Sequence, residues 1–185
     1  MRRNKKLDNK TYELGEIVVS REQIQEMVCR LAERINRDYA GKELIVVGVL
    51  RGAMVFLADL IRELTIPLKL DFIIVSSYGV ETSSSGVVLM VKDIDFDIEG
   101  KHVLIVEDLI DTGLTLNYLK KLFLTRNPAS LKISAAFDKP SRRSVEIDVD
   151  YSGISLEDKF IVGYGLDYAH LYRNLPEVRV MIEKR

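Results

Sequence analysis

One stretch restricts the fold of this chain more than any other. It is Lys101-His102-Val103-Leu104-Ile105-Val106-Glu107-Asp108-Leu109-Ile110-Asp111-Thr112-Gly113-Leu114-Thr115. An unbroken apolar segment runs into two adjacent carboxylates, then a third, then a Thr-Gly-x-Thr turn that opens a helix. A strand with one wet face alternates apolar and polar residues, whereas continuous Val, Leu and Ile mark a strand covered on both faces. Open α/β sheets bind ligands outside the carboxyl ends of their strands. The acids fall where this strand leaves the sheet, so function is to be sought there.

The rest of the chain supplies the sheet. Glu43 to Leu50 reads as a first buried strand, Arg51-Gly52 as its turn, and Ala53 to Leu64 as a helix ended by Thr65-Ile66-Pro67. Residues 68–76 read as a strand, and so do Val87 to Val91 and Leu131 to Phe137. The polar, glycine-bounded stretch Ser76 to Gly86 is then the mobile tip of a long hairpin. Leu116, Leu119 and Phe123 share one helix face, and Asn127-Pro128 stops that helix. Ser20 and Gln23 match a capping box, followed by Ile24, Met27, Val28, Leu31 and Ile35 at helical spacing up to Gly41. Residues 1–19 read as a polar tail with a short strand, Glu16 to Val19. Beyond residue 140 short strands are expected near 145–149, 159–163 and 178–182. Strand-helix-strand, twice over, predicts a mostly parallel α/β sheet in one domain of 185 residues. Its core covers about 20–140, and a small hood lobe is made from residues 1–19 and about 141–185.

Composition narrows the function classes. The 27 basic and 28 acidic residues nearly cancel, which argues against nucleic acid or an anionic membrane surface as partner. The longest apolar run, Leu44 to Leu50, is far too short to span a bilayer. No apolar segment follows the basic start, Met1 to Lys6, and Cys29 has no second cysteine to pair with. A cytoplasmic protein is expected. His102 and His170 show no ligand spacing with other His or Cys, and no GxxxxGK[ST] is present, so zinc and a P-loop are set aside.

Glu107 and Asp108 could be solvated acids at a strand end, and Asp111 with Thr112 could be an ordinary helix cap. Together they are more specific. Adjacent carboxylates accept hydrogen bonds from a cis-diol, which a ribose presents. Backbone N–H groups at a glycine turn, with two threonine hydroxyls, make an anion cradle. The pair describes a site for a ribose 5-phosphate.

Here a resemblance enters. Val103 to Thr115 resembles the phosphoribosyl-pyrophosphate (PRPP) signature of the type I phosphoribosyltransferases. The chain is similar to the 6-oxopurine branch of that family from about residue 15 onward. Leu50-Arg51-Gly52, Ser76-Ser77-Tyr78-Gly79, Asp138-Lys139-Pro140-Ser141-Arg142-Arg143, Lys159 to Tyr168 and Arg173 carry the likeness. The resemblance implies transfer of ribose 5-phosphate from PRPP to N9 of a 6-oxopurine, hypoxanthine and also guanine. The products are IMP or GMP and pyrophosphate, Mg2+ is the cofactor, and the assembly is a homodimer or homotetramer.

It also implies a role for each matched segment. Asp111 would manage the purine proton as general acid/base. Glu107 and Asp108 would hold the ribose hydroxyls directly or through Mg2+, and Asp111, Thr112, Gly113, Leu114 and Thr115 the 5'-phosphate. Leu50, Arg51 and Gly52 would bind pyrophosphate with Arg173, over a cis peptide between Leu50 and Arg51. Arg51 stands where many members have Lys. Lys139, taken alone a surface lysine before a proline, would donate to the 6-oxo oxygen. Phe160, otherwise a core aromatic, would stack on the purine while the Ile161 backbone reads its pyrimidine edge. Asp167 would contact a second Mg2+ through water. Ser77 and Tyr78 would form the base of a lid that excludes water.

Three other readings compete. A receiver-like phosphoacceptor domain also uses an acid pair, a separate Asp and a Lys-Pro at strand ends. Here, however, the third acid follows the pair by three residues rather than by a whole βαβ unit. A non-catalytic regulator binding PRPP or RNA is a second, against which Asp111, Lys139, Phe160 and Asp167 argue, with no basic-aromatic surface evident for RNA. A pyrimidine-specific enzyme is the third, and the Lys139 and Phe160 segments favour a purine.

Overall fold

The computed structural model describes residues 12–77 and 88–184. Its elements are β1 (Tyr12–Val19), α1 (Arg21–Asp38), β2 (Leu44–Leu50), α2 (Met54–Glu63), β3 (Leu68–Ser77), β4 (Val88–Lys92) and β5 (His102–Ile110). They continue with α3 (Leu114–Leu124), β6 (Ser130–Asp138), a 3-10 turn (Pro140–Arg142), β7 (Tyr151–Ser155), β8 (Ile161–Val162) and β9 (Val178–Glu183). Six strands form the main sheet in the order β4-β3-β2-β5-β6-β7, all neighbours parallel except the antiparallel β3–β4 pair. The two ends of the chain make a separate antiparallel sheet, β1-β9-β8.

The continuous apolar strands are explained by burial on both faces. Along β2, Leu44 and Val46 point into one cluster with α1 and α2, while Ile45, Val47 and Val49 point into the other. β5 splits the same way, Leu104 and Val106 against Val103 and Ile105. Leu116, Leu119 and Phe123 bring α3 onto the second face. Both bonds of the Ser20–Gln23 capping box form: Ser20 N–H donates to Gln23 Oε1 at 2.8 Å, and Gln23 N–H to Ser20 Oγ at 3.3 Å. Such a cap is worth about 1 kcal/mol. Among the described residues no helix is long and apolar enough to cross a membrane.

Four boundaries differ from the sequence reading. β1 begins at Tyr12 rather than Glu16, because pairing with β9 extends it to Glu183. α3 ends at Leu124, short of Asn127-Pro128, with Asn127 turning back at φ 51. Residues 145–149 form no strand. Val145 and Ile147 pack on Gly113 and Ile147 and Val149 line the second cluster, so their alternation reflects packing without ladder partners. The strand of this region is β7, which closes the main sheet within a stretch assigned to the hood. The hairpin tip lies outside the described residues.

β7 owes its place to Gly153, where a Cβ would overlap the Ala136 carbonyl and the Met27 sulfur. A Gly153→Ala protein should lose about 1–3 kcal/mol, the usual cost of overpacking. Urea unfolding would report it as a lower midpoint with unchanged slope; a wild-type midpoint would mean that β7 is loosely seated.

Candidate active site

The main sheet reverses winding between β2 and β5. From β2 the chain crosses through α2 to β3 on one side; from β5 it crosses through α3 to β6 on the other. Right-handed crossovers place those helices on opposite faces, and ligands bind where the strand order reverses. The β2–β5 ladder stops at Gly48 and Val106, one residue before Glu107. A cavity of about 220 Å³ opens in the fork, lined by Leu50 and Gly52 at and after the end of β2 and by Glu107 and Asp111 to Gly113 at and after the end of β5.

Two glycines set how closely the loops meet. A Cβ on Gly52 would overlap the Asp108 carboxylate, and a Cβ on Gly165, at φ +96, would overlap the Gly52 carbonyl. The Leu50–Arg51 peptide is cis, as expected. Glu107 is buried, and its Oε1 accepts the Asp108 N–H at 3.4 Å. Asp108 Oδ1 accepts the Leu109 N–H at 2.9 Å. Burial, and then the neighbouring Asp108 charge, pushes the Glu107 carboxyl well above its ordinary value of 4.5.

The turn after Asp111 is held from behind. Thr112 C=O accepts the Ser144 and Val145 N–H groups at 3.0 and 3.4 Å. Gly113, at φ +82, caps α3, and a Cβ there would press on Val145 and Ile147 at 3.2 and 3.3 Å. Glycine brings no capping side chain, and the first turn of α3 carries no acid. The helix start therefore keeps its positive end open to an anion, with Thr112 and Thr115 beside it.

The turn after β6 lies beside the end of β5. Lys139 is only 6% exposed, so it is not the surface lysine that its Lys-Pro context suggested. Its N–H donates to Ile110 C=O at 2.9 Å, and its Nζ to Lys159 C=O at 2.6 Å. Burial lowers the Lys139 pKa, partly offset by the charges of Asp111 and Asp158. Phe160, next to that carbonyl, is 45% exposed and so is not a core aromatic. Tyr12 and Tyr168 meet it edge-on at 5.8 and 5.6 Å, while Ile161 behind it begins β8 and is buried.

Arg173 Nη1 donates to Gly165 C=O at 2.5 Å, and its Nη2 pairs with Asp167 at 2.5 Å. Asp167 also accepts the His170 N–H at 2.8 Å. Four non-glycine residues here, Tyr164, Ala169, His170 and Tyr172, adopt positive φ, and such backbone clusters at functional sites. Of the expected site residues, Leu50, Gly52, Glu107, Asp111, Thr112, Gly113 and Thr115 line the cavity. Asp108 and Gly165 adjoin it through Gly52, whereas Arg173 lines a separate cavity with residues of α1 and α2, and Lys139 and Phe160 are not in the lining. Ser77 ends β3, and Tyr78 and the expected lid lie outside the described residues. Sequence reasoning gave no role to Arg142, whose Nε donates to Asp111 Oδ1 at 3.0 Å, or to Asp158 beside it. The signal was available in Asp138 to Arg143, where two arginines follow the lysine.

A switch-point crevice with paired acids, an acid-free helix start and a basic turn is the arrangement expected of a phosphoribosyltransferase. The family model of the phosphoribosyl transferase domain matches residues 20–169, and the chain belongs to that family. Within it, the chain is 44% identical over 172 residues to the hypoxanthine-guanine phosphoribosyltransferase of Streptococcus pneumoniae strain R6, covering 93% of this chain and 96% of that one. The Bacillus subtilis enzyme of the same name is 45% identical over 170 residues, covering 92% of this chain and 94% of that one. A crystal structure of a hypoxanthine-guanine phosphoribosyltransferase from Bacillus anthracis superposes with a TM-score of 0.86 at 45% identity, over 93% of this chain and 100% of that one. A hypoxanthine phosphoribosyltransferase from Trypanosoma cruzi, solved as a ternary substrates complex, gives 0.86 at 42%, over 91% and 96%. Family membership sets aside the phosphoacceptor reading.

The folded state holds the Glu107 proton more tightly than the unfolded chain does. Ionising it therefore costs stability as pH rises above the ordinary value of 4.5. A Glu107→Gln protein lacks that cost. In metal-free buffer it should melt above the parent near pH ~9 and close the gap toward pH ~4.5. Parallel melting curves for the two proteins across that range would contradict the assignment.

Proposed function

We propose that the chain is a purine-salvage enzyme that transfers ribose 5-phosphate from PRPP to N9 of hypoxanthine and guanine, giving IMP or GMP and pyrophosphate. One observation carries the base assignment: a lysine that is 6% exposed stands next to a phenylalanine that is 45% exposed. Lysine donates and cannot accept, so Lys139 selects a 6-oxo oxygen over the 6-amino group of adenine. Phe160 offers its free face to the purine ring, and the Ile161 backbone meets the pyrimidine edge. The relatives named for hypoxanthine and guanine support the same substrates.

On this reading the α3 start, from Thr112 to Thr115, takes the 5'-phosphate. Glu107 and Asp108 take the ribose hydroxyls. Leu50-Arg51-Gly52 and Arg173 take the pyrophosphate. Asp111 stands between sugar and base and moves the proton of the purine imidazole.

The acids suit Mg2+. They are hard oxygen donors, and burial and the charge of Asp108 push the Glu107 pKa well above its ordinary value, a conflict that a cation relieves. Among the described residues no three His, Cys, Asp or Glu side chains converge on one point. That fits an ion held by one or two carboxylates and substrate phosphates. Glu107 and Asp108 would hold it, and Asp167 would contact a second ion through water. An ion held there would supply positive charge to the leaving diphosphate. The enzyme acts in the cytoplasm as a homodimer or homotetramer.

The protein is to be mixed with PRPP, Mg2+ and single bases. Pyrophosphate should appear with hypoxanthine and guanine and not with adenine or uracil; no release with any base overturns the reading. Asp111→Asn should lower kcat about 10²–10⁴-fold, far more than it weakens PRPP binding measured by calorimetry; an unchanged kcat would remove Asp111 from the acid/base role. Lys139→Ala should chiefly raise the purine KM, and an intact 6-oxopurine preference in that variant would remove Lys139 from base selection.

A further inference from the structure

The Arg142 guanidinium lies between two carboxylates. Its Nε is 3.0 Å from Asp111 Oδ1 and 3.7 Å from Asp158 Oδ1. The backbone beneath it is fixed, since Arg142 ends the 3-10 turn Pro140–Arg142 and its N–H donates to Lys139 C=O at 3.0 Å. The side chain itself is 47% exposed and is free to pivot. Asp111 and Asp158 are exposed to a similar degree, 41% and 53%. With Lys139 the group counts two positive and two negative charges.

On the function proposed above, Asp111 must accept an N–H from the purine imidazole. In the free protein Arg142 already donates to that carboxylate. Two donors compete for one acceptor, and the arriving base must displace the guanidinium. A displaced arginine without a new partner would leave Asp158 unpaired and two cations, Lys139 and Arg142, crowded at the base edge. Asp158 stands within 3.7 Å and supplies that partner.

We infer that Arg142 is a latch on Asp111, and that Asp158 receives it when the purine binds. Arg142 and Asp158 are positioning residues that act through Asp111. In the free enzyme the latch holds the Asp111 carboxylate in place. On binding, the guanidinium moves from Asp111 to Asp158 while the base takes Asp111. Asp158 thereby lowers the cost of admitting the base and leaves the PRPP half of the site alone.

Steady-state kinetics with hypoxanthine and PRPP varied separately tests the latch. Asp158→Asn removes the receiving charge, so the hypoxanthine KM should rise roughly two- to fivefold, the range for a half-exposed ion pair. The PRPP KM should stay put and kcat change less. Arg142→Gln in the same protein removes the competitor, so the double variant should recover most of the hypoxanthine KM. Arg142→Lys in the Asp158→Asn background keeps a cation on Asp111 and should keep the defect. A merely structural Asp158 would leave the Gln double variant as impaired as the single. A wild-type hypoxanthine KM in Asp158→Asn, or strict additivity in the double variant, overturns the latch. A parent protein that releases no pyrophosphate with any base overturns the function instead.

Discussion

The site depends on the absence of side chains at two positions. Asp108 can face the crevice only because Gly52 carries no Cβ, and Gly52 can lie there only because Gly165 carries none. Three segments distant in sequence thereby stack at van der Waals range: the end of β5, the turn after β2 and the reversed backbone from Gly163 to Arg173. An alanine at either glycine would push these layers apart by the thickness of a methyl group. The carboxylates and the turn after β2 would then no longer border one crevice. Tyr164 anchors the outermost layer, its buried hydroxyl donating to Asp59 on α2 at 2.9 Å. The positive-φ residues around it are tolerated because such anchors and backbone bonds over-determine that segment.

Electrostatics in the crevice follow from that closeness. A buried acid beside a second acid is unfavourable in the fold alone, and Glu107 answers by holding its proton. The helix start at Gly113 has the opposite imbalance, a positive end with no acid in its first turn and only a long bond from Leu114 N–H to Thr112 Oγ1, 3.4 Å. The two defects face a common cavity and are complementary to a ligand with hydroxyls and a divalent cation at one end and a phosphate at the other. Natural chains depart from local stability rules where they function.

Much of this was legible in the sequence, and the reason is burial. β2 and the Val103 to Val106 part of β5 are apolar throughout because each face meets a different cluster. The acids at the end of β5 and the capping box of α1 are local signals, and local signals survive folding. What failed to show was decided by distant partners. Residues 145–149 alternate like a strand, yet they pack on Gly113 without a ladder; Tyr151 to Ser155 do not look apolar, yet β6 pairs with them. The contact of Arg142 with Asp111 spans 31 residues and two loops, so no periodicity could announce it.

The base-reading wall shows how context inverts a residue's ordinary place. Lysine belongs at the surface and phenylalanine in the core, yet Lys139 is buried and Phe160 is open. The inversion is stable because each is held from behind. Lys139 donates to the Lys159 carbonyl and is compensated by Asp111 and Asp158, while Tyr12 and Tyr168 clamp the edges of Phe160. Tyr12 comes from β1, which is held in register by β9. The small sheet at the chain ends therefore does more than cover the main one: it fixes the angle of the aromatic face. That link makes the two sheets one device, with the sugar phosphate held by the large sheet and the ring by the small one.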